Sequence, residues 1–248
     1  MSHSPFTGVW TLAGTTASRQ PPSPPTELDL AFPDRGVVVR HGGRHDQLLG
    51  VDLAARAGAA DGVVGPIDHW LRANDVAAVY EPIDARRLRA TAMWRMHEGE
   101  PEVAVWELVV SAQTSLLQSD AEVAVVSTVE ADDLLWNDVR AGHQGWHSIG
   151  TDGAVPPEAT CILARRGAAA AGATSLLIAV HPADHRHLFV TRAGPRARIE
   201  CRLFSSAIEK GVLLRSRVMA ALGPASADTA WAGRIAARFA ASSPPLTT

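Results

Sequence analysis

Apolar side chains alternate with mainly polar ones from Leu88 to His97, and this pattern constrains the fold more than any other feature of the chain. Successive side chains of a β-strand point to opposite faces of a sheet, so the alternation predicts a strand with one buried and one polar face. Residues 98–101, Glu-Gly-Glu-Pro, supply turn chemistry, and a second β-rich run follows at 102–114. Residues 88–114 are therefore predicted to form a β-hairpin.

The same period of two recurs at 196–204, where arginine and glutamate alternate with small or aliphatic residues. Further short runs rich in β-branched or aliphatic residues are bounded by glycine, proline or aspartate, at 26–32, 35–40, 121–129, 158–164 and 174–181. Their spacing favours antiparallel sheets over alternating strands and helices. Near the end, Trp231, Ile235 and Phe239 recur at helical spacing after Ser226, which predicts a helix over about 227–240 with Ser226 as its cap.

These elements together predict a mainly β fold. We expect a large antiparallel β-sandwich of two packed sheets with roughly 12–16 strands and one short C-terminal helix. A chain of 248 residues suits a sandwich built as one unit, so residues 1–248 are expected to form a single domain. The proline-rich segment 20–25 predicts a surface crossing.

Two segments leave the local structure open. Residues 41–66 are rich in glycine and show no clear period, so they are interpreted as a long loop or several short strands. Residues 205–222 mix strand-favouring and helix-favouring residues. The turn-like pair Lys210-Gly211 favours the strand.

The composition bounds the class of function. Hydrophobic residues make up 46% and charged residues 20% of the chain, which is typical of a globular protein. No apolar run approaches the about 20 residues of a membrane helix, and the first residues lack the pattern of a secretory signal. We therefore expect a soluble cytoplasmic protein with no membrane partner. The net charge of −3, with dispersed arginines, argues against a nucleic-acid partner. The two cysteines, Cys161 and Cys201, are predicted to be buried thiols.

Motifs of nucleotide binding, nucleophilic hydrolysis and zinc peptidases are absent from the sequence, so no cofactor is predicted. One histidine-rich segment could still hold a metal, because His181, His185 and His187 lie within seven residues together with Asp184. Imidazole nitrogens and carboxylate oxygens are ligands for zinc or iron. A polar turn with solvated histidines is the alternative, since no second glutamate or cysteine can be assigned.

A second cluster combines aromatic rings and imidazoles in a loop-like stretch, at Trp136, His143, Trp146 and His147. Amphipathic rings in a loop can stack on a ligand, but ordinary packing is the interpretation we favour.

The polar faces of the predicted strands form a candidate binding surface. Its residues are Trp70, Arg72, Asn74, Arg95, His97 and Glu107. If their strands are neighbours, these side chains converge, and they suit a carbohydrate or a small anionic ligand. Arginine forks bind carboxylates, glutamate accepts hydroxyl donors, and an indole covers the apolar side of a sugar ring. The alternative is a solvated outer face of weak ion pairs.

An architecture with many strands, near 250 residues and a polar sheet face resembles the large sandwiches of the aldose-epimerase-like fold. The resemblance implies a sugar ligand, but no motif of that family can be placed on particular residues here, so no catalytic residue is carried over.

Three hypotheses of function remain. The first is a carbohydrate-binding or carbohydrate-processing protein, with Glu107 or Glu209 as base and His69 or His97 as acid. The second is a non-enzymatic interaction or assembly module. The third is a metal-dependent enzyme built on the histidines of 181–187.

Overall fold

The computed structural model describes residues 10–19, 24–53, 65–81, 85–97, 100, 102–141, 145–150, 153–167, 173–184, 187–204 and 206–243. Their first ten strands are β1 (Trp10–Ala13), β2 (Thr16–Arg19), β3 (Thr26–Asp29), β4 (Val37–His41), β5 (Arg44–Asp52), β6 (Asp68–Arg72), β7 (Asp75–Tyr80), β8 (Leu88–His97), β9 (Ala104–Thr114) and β10 (Gln118–Asp120). The later elements are β11 (Val123–Glu130), β12 (Asp133–Asn137), β13 (His147–Ser148), β14 (Cys161–Arg166), β15 (Thr174–Val180), β16 (His187–Ala193), β17 (Arg196–Leu203), β18 (Ala207–Glu209), β19 (Leu214–Pro224) and helix α1 (Asp228–Ala241).

The strands form two large antiparallel sheets. The eight-stranded sheet has the order β1-β2-β3-β4-β5-β11-β17-β16, and the nine-stranded sheet has the order β13-β12-β14-β15-β19-β9-β8-β7-β6. A small third sheet pairs β10 with β18. This confirms the predicted antiparallel sandwich with a single C-terminal helix. The described residues contain more strands than the 12–16 expected, because several are only two to four residues long.

Polar contacts cross the core between the inner faces of the two sheets. The indole of Trp94 donates to the carbonyl of Leu49 at 2.9 Å, and the hydroxyl of Tyr80 donates to the carbonyl of Leu30 at 3.0 Å. An ion pair joins Arg166 of β14 to Asp46 of β5 at 2.6 Å, with both side chains almost fully buried. These contacts link β7, β8 and β14 of the nine-stranded sheet to the opposite layer.

The strongest local predictions are confirmed. The hairpin at 88–114 consists of β8 and β9, and the alternating segment 196–204 forms β17 with its apolar side buried. The ambiguous segment 205–222 is strand, as β18 and most of β19. Both cysteines are buried free thiols, and burial raises the pKa of the Cys161 thiol to about 12.

One segment differs from its prediction. Within 41–66, residues 44–52 form the single long strand β5 near the centre of the eight-stranded sheet. Its period is hidden by a β-bulge, because the register against β11 shifts between Val126 and Thr128 while Leu49 adopts a positive φ of 58°. An extra residue in one strand moves the following side chains to the other face. Residues 54–64, the alanine-rich stretch 168–171 and residues 20–23 of the proline-rich crossing lie outside the described residues.

Helix α1 lies on the outer face of the nine-stranded sheet, the face turned away from the other sheet. Trp231, Ile235 and Phe239 are buried against it, as the spacing predicted. The predicted cap at Ser226 is wrong, because the residue before the helix is Ala227 and no side chain caps it. Asp228 instead fixes the first turn, accepting from Arg165 at 2.8 Å and from Ser175 at 2.7 Å. None of the helices in the described part of the chain is long and apolar enough to cross a membrane.

Candidate functional site

The outer face of the nine-stranded sheet carries a row of polar side chains beside α1. The register places Arg72, Asp75, Arg95, Glu107 and Met219 directly opposite one another on five successive strands, β6, β7, β8, β9 and β19. His97 and Arg217 are the diagonal neighbours of Glu107 on β8 and β19. Diagonal neighbours lie within reach of long side chains. Antiparallel pairing therefore brings His97 of β8, Glu107 of β9 and Arg217 of β19 together as the centre of a polar cluster.

His97 and Glu107 form the central pair of the cluster. The Nε2 atom of His97 lies 2.6 Å from Oε2 of Glu107. The glutamate side chain is only 6% exposed, whereas the histidine side chain is 41% exposed. An ionised carboxylate can only accept hydrogen bonds, so His97 Nε2 is the donor and Nδ1 is the ring nitrogen that can accept a proton.

Charges around Glu107 keep it ionised despite its burial. Burial alone would raise the pKa of this carboxyl, but the hydrogen bond and charge of His97, followed by the charges of Arg217 and Arg95, bring it below its usual value. Arg217 Nη1 lies 3.6 Å from Oε1 of Glu107. Within the described part of the chain, that oxygen accepts no hydrogen bond. Glu107 is therefore a fixed negative charge next to a partly exposed imidazole.

Arg95 stands beside Glu107 but already has a partner. Its guanidinium donates to both oxygens of Asp75, from Nε at 2.6 Å and from Nη2 at 2.7 Å. Such a two-point contact fixes the plane of the guanidinium. Arg95 therefore acts on Glu107 as a nearby positive charge.

Arg217 ties the end of α1 to the sheet. Its guanidinium donates to the Ser242 hydroxyl at 3.0 Å, the Ser242 carbonyl at 2.9 Å and the Ser243 carbonyl at 3.1 Å. The side chain is 3% exposed, and it lies 5.3 Å from the ring centre of Phe239. The residues that follow the helix are thus held next to Glu107.

His181 completes the buried part of the cluster. Its ring meets Phe239 edge-on at 5.5 Å, and the residue is 8% exposed. Burial and then the charge of Arg217 lower its pKa, while Asp184 and the carbonyls of Ser242 and Ala240 act in the opposite direction. The imidazole is therefore neutral at neutral pH.

A pocket of about 230 Å³ opens between the sheet and α1 at this cluster. Its walls combine polar and apolar side chains, from His97, Val105, Glu107, Met219, Ile235, Arg238, Phe239 and Ser242. A pocket with a few convergent polar groups among apolar ones is the usual form of a small-molecule site.

The structure brings half of the predicted binding surface together. Arg95, His97 and Glu107 are contiguous on the outer face. Trp70 and Arg72 share that face, but they lie on β6, three strands from β9 and so about 14 Å away. Asn74 lies exposed in the turn between β6 and β7.

Two other predicted acid–base residues lie elsewhere. Glu209 is exposed on β18 of the small sheet, and it pairs across from Gln118. His69 neighbours buried Ala78 on the side of β6 opposite to Trp70, and its Nε2 contacts the carbonyl of Gly14 at 3.1 Å. Of the four candidates, His97 and Glu107 are thus the two that face each other.

The histidine segment of the metal hypothesis is divided between the sheets. His181 follows β15 in the nine-stranded sheet, whereas His187 begins β16 in the eight-stranded sheet. Among the described residues, no group of three histidine, cysteine, aspartate or glutamate side chains could hold a metal ion. His185 lies outside the described residues.

The aromatic loop cluster is engaged in packing contacts. Trp136 stacks on His147 at 4.7 Å, and the indole of Trp146 donates to the Thr229 carbonyl of α1 at 3.1 Å. The contact of Trp146 joins this stretch to the helix. His143 lies outside the described residues.

Sequence reasoning missed Arg217, Arg238 and Phe239 as site residues. Arg217 lies in the segment whose structure was ambiguous, although alternation with Ser216 and Val218 would have placed it on one face of a strand. Arg238 and Phe239 reach the pocket only because α1 lies across the sheet. Nothing in the helical period indicates which part of a sheet a helix will cover.

Comparison with known proteins supplies information on the fold. No family model matches the chain, and no curated protein matches its sequence. Its structure is similar to that of a candidate aldose 1-epimerase of Klebsiella pneumoniae subsp. pneumoniae, with a TM-score of 0.51 and 10% identity over 93% of this chain and 86% of that one. The likeness is one of fold.

Two further structures match over a smaller share of their own length. A heparan sulfate lyase of Pedobacter heparinus has a TM-score of 0.43 and 9% identity, over 84% of this chain and 33% of the lyase. A candidate kojibiose phosphorylase from the human microbiome has a TM-score of 0.45 and 6% identity, over 95% of this chain and 33% of that chain.

Proposed function

We propose that this protein binds a monosaccharide in the pocket between the nine-stranded sheet and α1, and that His97 transfers a proton on the bound sugar. The observation that carries the proposal is the His97–Glu107 pair, which lies in the wall of a pocket of about 230 Å³. Pockets for drug-sized ligands begin at about 300 Å³, so this one suits a single sugar ring.

The walls of the pocket offer what a sugar requires. His97, Glu107 and Ser242 can exchange hydrogen bonds with hydroxyl groups. Val105, Met219 and Phe239 offer an apolar surface for the C–H side of the ring. Trp70 and Arg72, about 14 Å from Glu107, would meet only a ligand longer than one ring.

Glu107 and His97 have different roles in this proposal. Glu107 is a positioning residue, which accepts the hydrogen bond of Nε2 and leaves Nδ1 as the nitrogen that can take a proton. His97 Nδ1 takes the proton of the anomeric hydroxyl, the bond between the anomeric carbon and the ring oxygen breaks, and the proton is delivered to that oxygen. Closure of the ring on the other face of the aldehyde gives the other anomer. The fold likeness to a candidate aldose 1-epimerase supports this reaction by analogy.

Two measurements test the proposal. Thermal shift and calorimetry with a panel of aldoses should reveal binding, and polarimetry of freshly dissolved sugar should reveal faster mutarotation than in buffer. We expect His97→Ala to lower kcat by about 10²–10⁴-fold. Glu107→Gln should lower kcat by about 10–100-fold with little change in KM, as expected when the orientation of a base is lost.

His69→Ala is the matched control, because this histidine lies outside the pocket and should leave both measurements unchanged. If the wild-type protein binds none of the aldoses and does not accelerate mutarotation, the proposal is wrong. Binding without any rate increase would leave a sugar-binding protein and remove the proton transfer.

A further inference from the structure

We propose that the sugar bound in this pocket carries an anionic group, a carboxylate or a phosphate, and that Arg238 selects it. The inference rests on the proposed monosaccharide site and deepens it by naming the class of ligand. It is carried by the position and the partners of Arg238 on α1.

Arg238 lines the pocket from the last turn of the helix, and its side chain is 61% exposed. Its ion-pair partner is Glu100, whose Oε1 lies 3.7 Å from Nη1 of Arg238. The other oxygen of Glu100 accepts from Arg234 at 2.9 Å, so this carboxylate is shared between two arginines. A guanidinium has five N–H donors, and this long contact leaves Arg238 able to bind an anion in a forked geometry.

The other charged side chains near the pocket also indicate that Arg238 is the group that can bind an anion. Arg95 is matched by Asp75 through two short hydrogen bonds. Glu107 faces Arg217, which donates its hydrogen bonds to neutral oxygens of Ser242 and Ser243. Among the described residues that line the pocket, Glu107 is the one carboxylate, and one of its oxygens accepts from His97 while the other faces Arg217. A ligand with one end at His97 and an anionic group at Arg238 would complement both ends of the pocket.

Arg238 could instead serve only the helix. A cation in the last turn of a helix stabilises it by about 0.3–1 kcal/mol through the helix dipole. Arg234 provides the comparison, since it lies one turn earlier on α1 and contacts the same glutamate, but it does not line the pocket. The two arginines therefore separate the effect on the ligand from the effect on the helix.

Calorimetry with glucose, glucuronate and glucose 6-phosphate tests the inference on the wild-type protein, Arg238→Gln and Arg234→Gln. We expect at least one of the anionic sugars to bind the wild type about tenfold or more tightly than glucose, because hydrogen bonds to charged groups are the stronger ones. Arg238→Gln should reduce the affinity for the anionic sugar to that for glucose. Arg234→Gln should keep the preference.

The outcomes are distinct. A preference for glucuronate or for glucose 6-phosphate identifies which anionic group is selected. Equal affinity for all three sugars, or a preference that survives in Arg238→Gln, overturns the inference and leaves the proposed function standing. Failure of all three sugars and of the aldose panel overturns the proposed function and the inference with it.

Discussion

Glu107 shows how the site depends on single side chains. It is a carboxylate removed from water, accepting from His97 on one oxygen and facing Arg217 on the other. A buried charge without compensation would be strongly destabilising, so its neighbours determine whether the site exists at all. Their combined effect is the lowered pKa of this carboxyl.

A pH series tests this electrostatic description. Because the pKa of Glu107 is lower in the folded protein than in the unfolded chain, its ionised form favours folding at all pH values above its ordinary value. That contribution begins to be lost as the pH falls below the ordinary glutamate value of about 4.3, and it is gone once the pH has fallen through the lower pKa of the folded protein. The difference in the free energy of unfolding between wild type and Glu107→Gln, measured by urea denaturation, should therefore shrink as the pH falls from about 5 to about 3. A difference that stays constant down to about pH 3 would contradict it.

Helix α1 is the element that turns an open sheet face into a pocket. It can lie close to β19 because residue 223 is a glycine, where an added Cβ would come within 2.9 Å of the Trp231 ring and 3.1 Å of Val103. The Trp231 indole donates to the carbonyl of Pro224 at 2.8 Å, which fixes the helix at this point. The start of the helix is thus fixed to β19, while its later turns line the pocket.

A pair of glycine substitutions tests this contact. Gly223→Ala should destabilise the protein by about 1–3 kcal/mol, because the methyl group overpacks the interface between helix and sheet. Gly233→Ala is the matched control, since a Cβ added at residue 233 would meet no atom within 4 Å and alanine favours the helix by about 0.5–1 kcal/mol. Both changes are measured by urea denaturation. Equal stability of the two variants would show that Trp231 moves aside without cost.

At the scale of the whole molecule, the two sheets are joined by a buried charge pair as well as by apolar packing. Arg166 donates to Asp46 at 2.6 Å, and Asp46 also accepts from the backbone N–H of Glu130 at 3.4 Å. Both members of the pair are 3% exposed or less. Removing one charge leaves the other buried, whereas removing both can be nearly neutral.

A double-mutant cycle measures that coupling. Arg166→Met alone should cost about 3–5 kcal/mol of folding free energy, because Asp46 remains as an unpaired buried charge. The double variant Arg166→Met with Asp46→Leu should recover most of this loss. Additive losses in the double variant would show that the two side chains act independently.

The sequence predicted strands and faces better than it predicted neighbours. Local alternation is sufficient to find the β8–β9 hairpin and to place His97 and Glu107 on its polar side. Alternation could not show that Arg217 lies next to Glu107, because that contact depends on the pairing of β9 with β19, a strand distant in sequence. β5 was missed because its bulge at Leu49 interrupts the period from which a strand is recognised.

The way in which the site is divided along the chain has a consequence for folding. His97 and Glu107 are 10 residues apart on one hairpin, whose closure costs little chain entropy. The pairing of β9 with β19 joins residues 104 apart, such as Ser111 and Arg215, so it is a slow, non-local step. During synthesis, the β9 edge of the hairpin therefore stays unpaired until β19 has been made. An unpaired edge with many apolar side chains is a template for aggregation, so the strand that carries the buried glutamate is open to aggregation until β19 pairs with it.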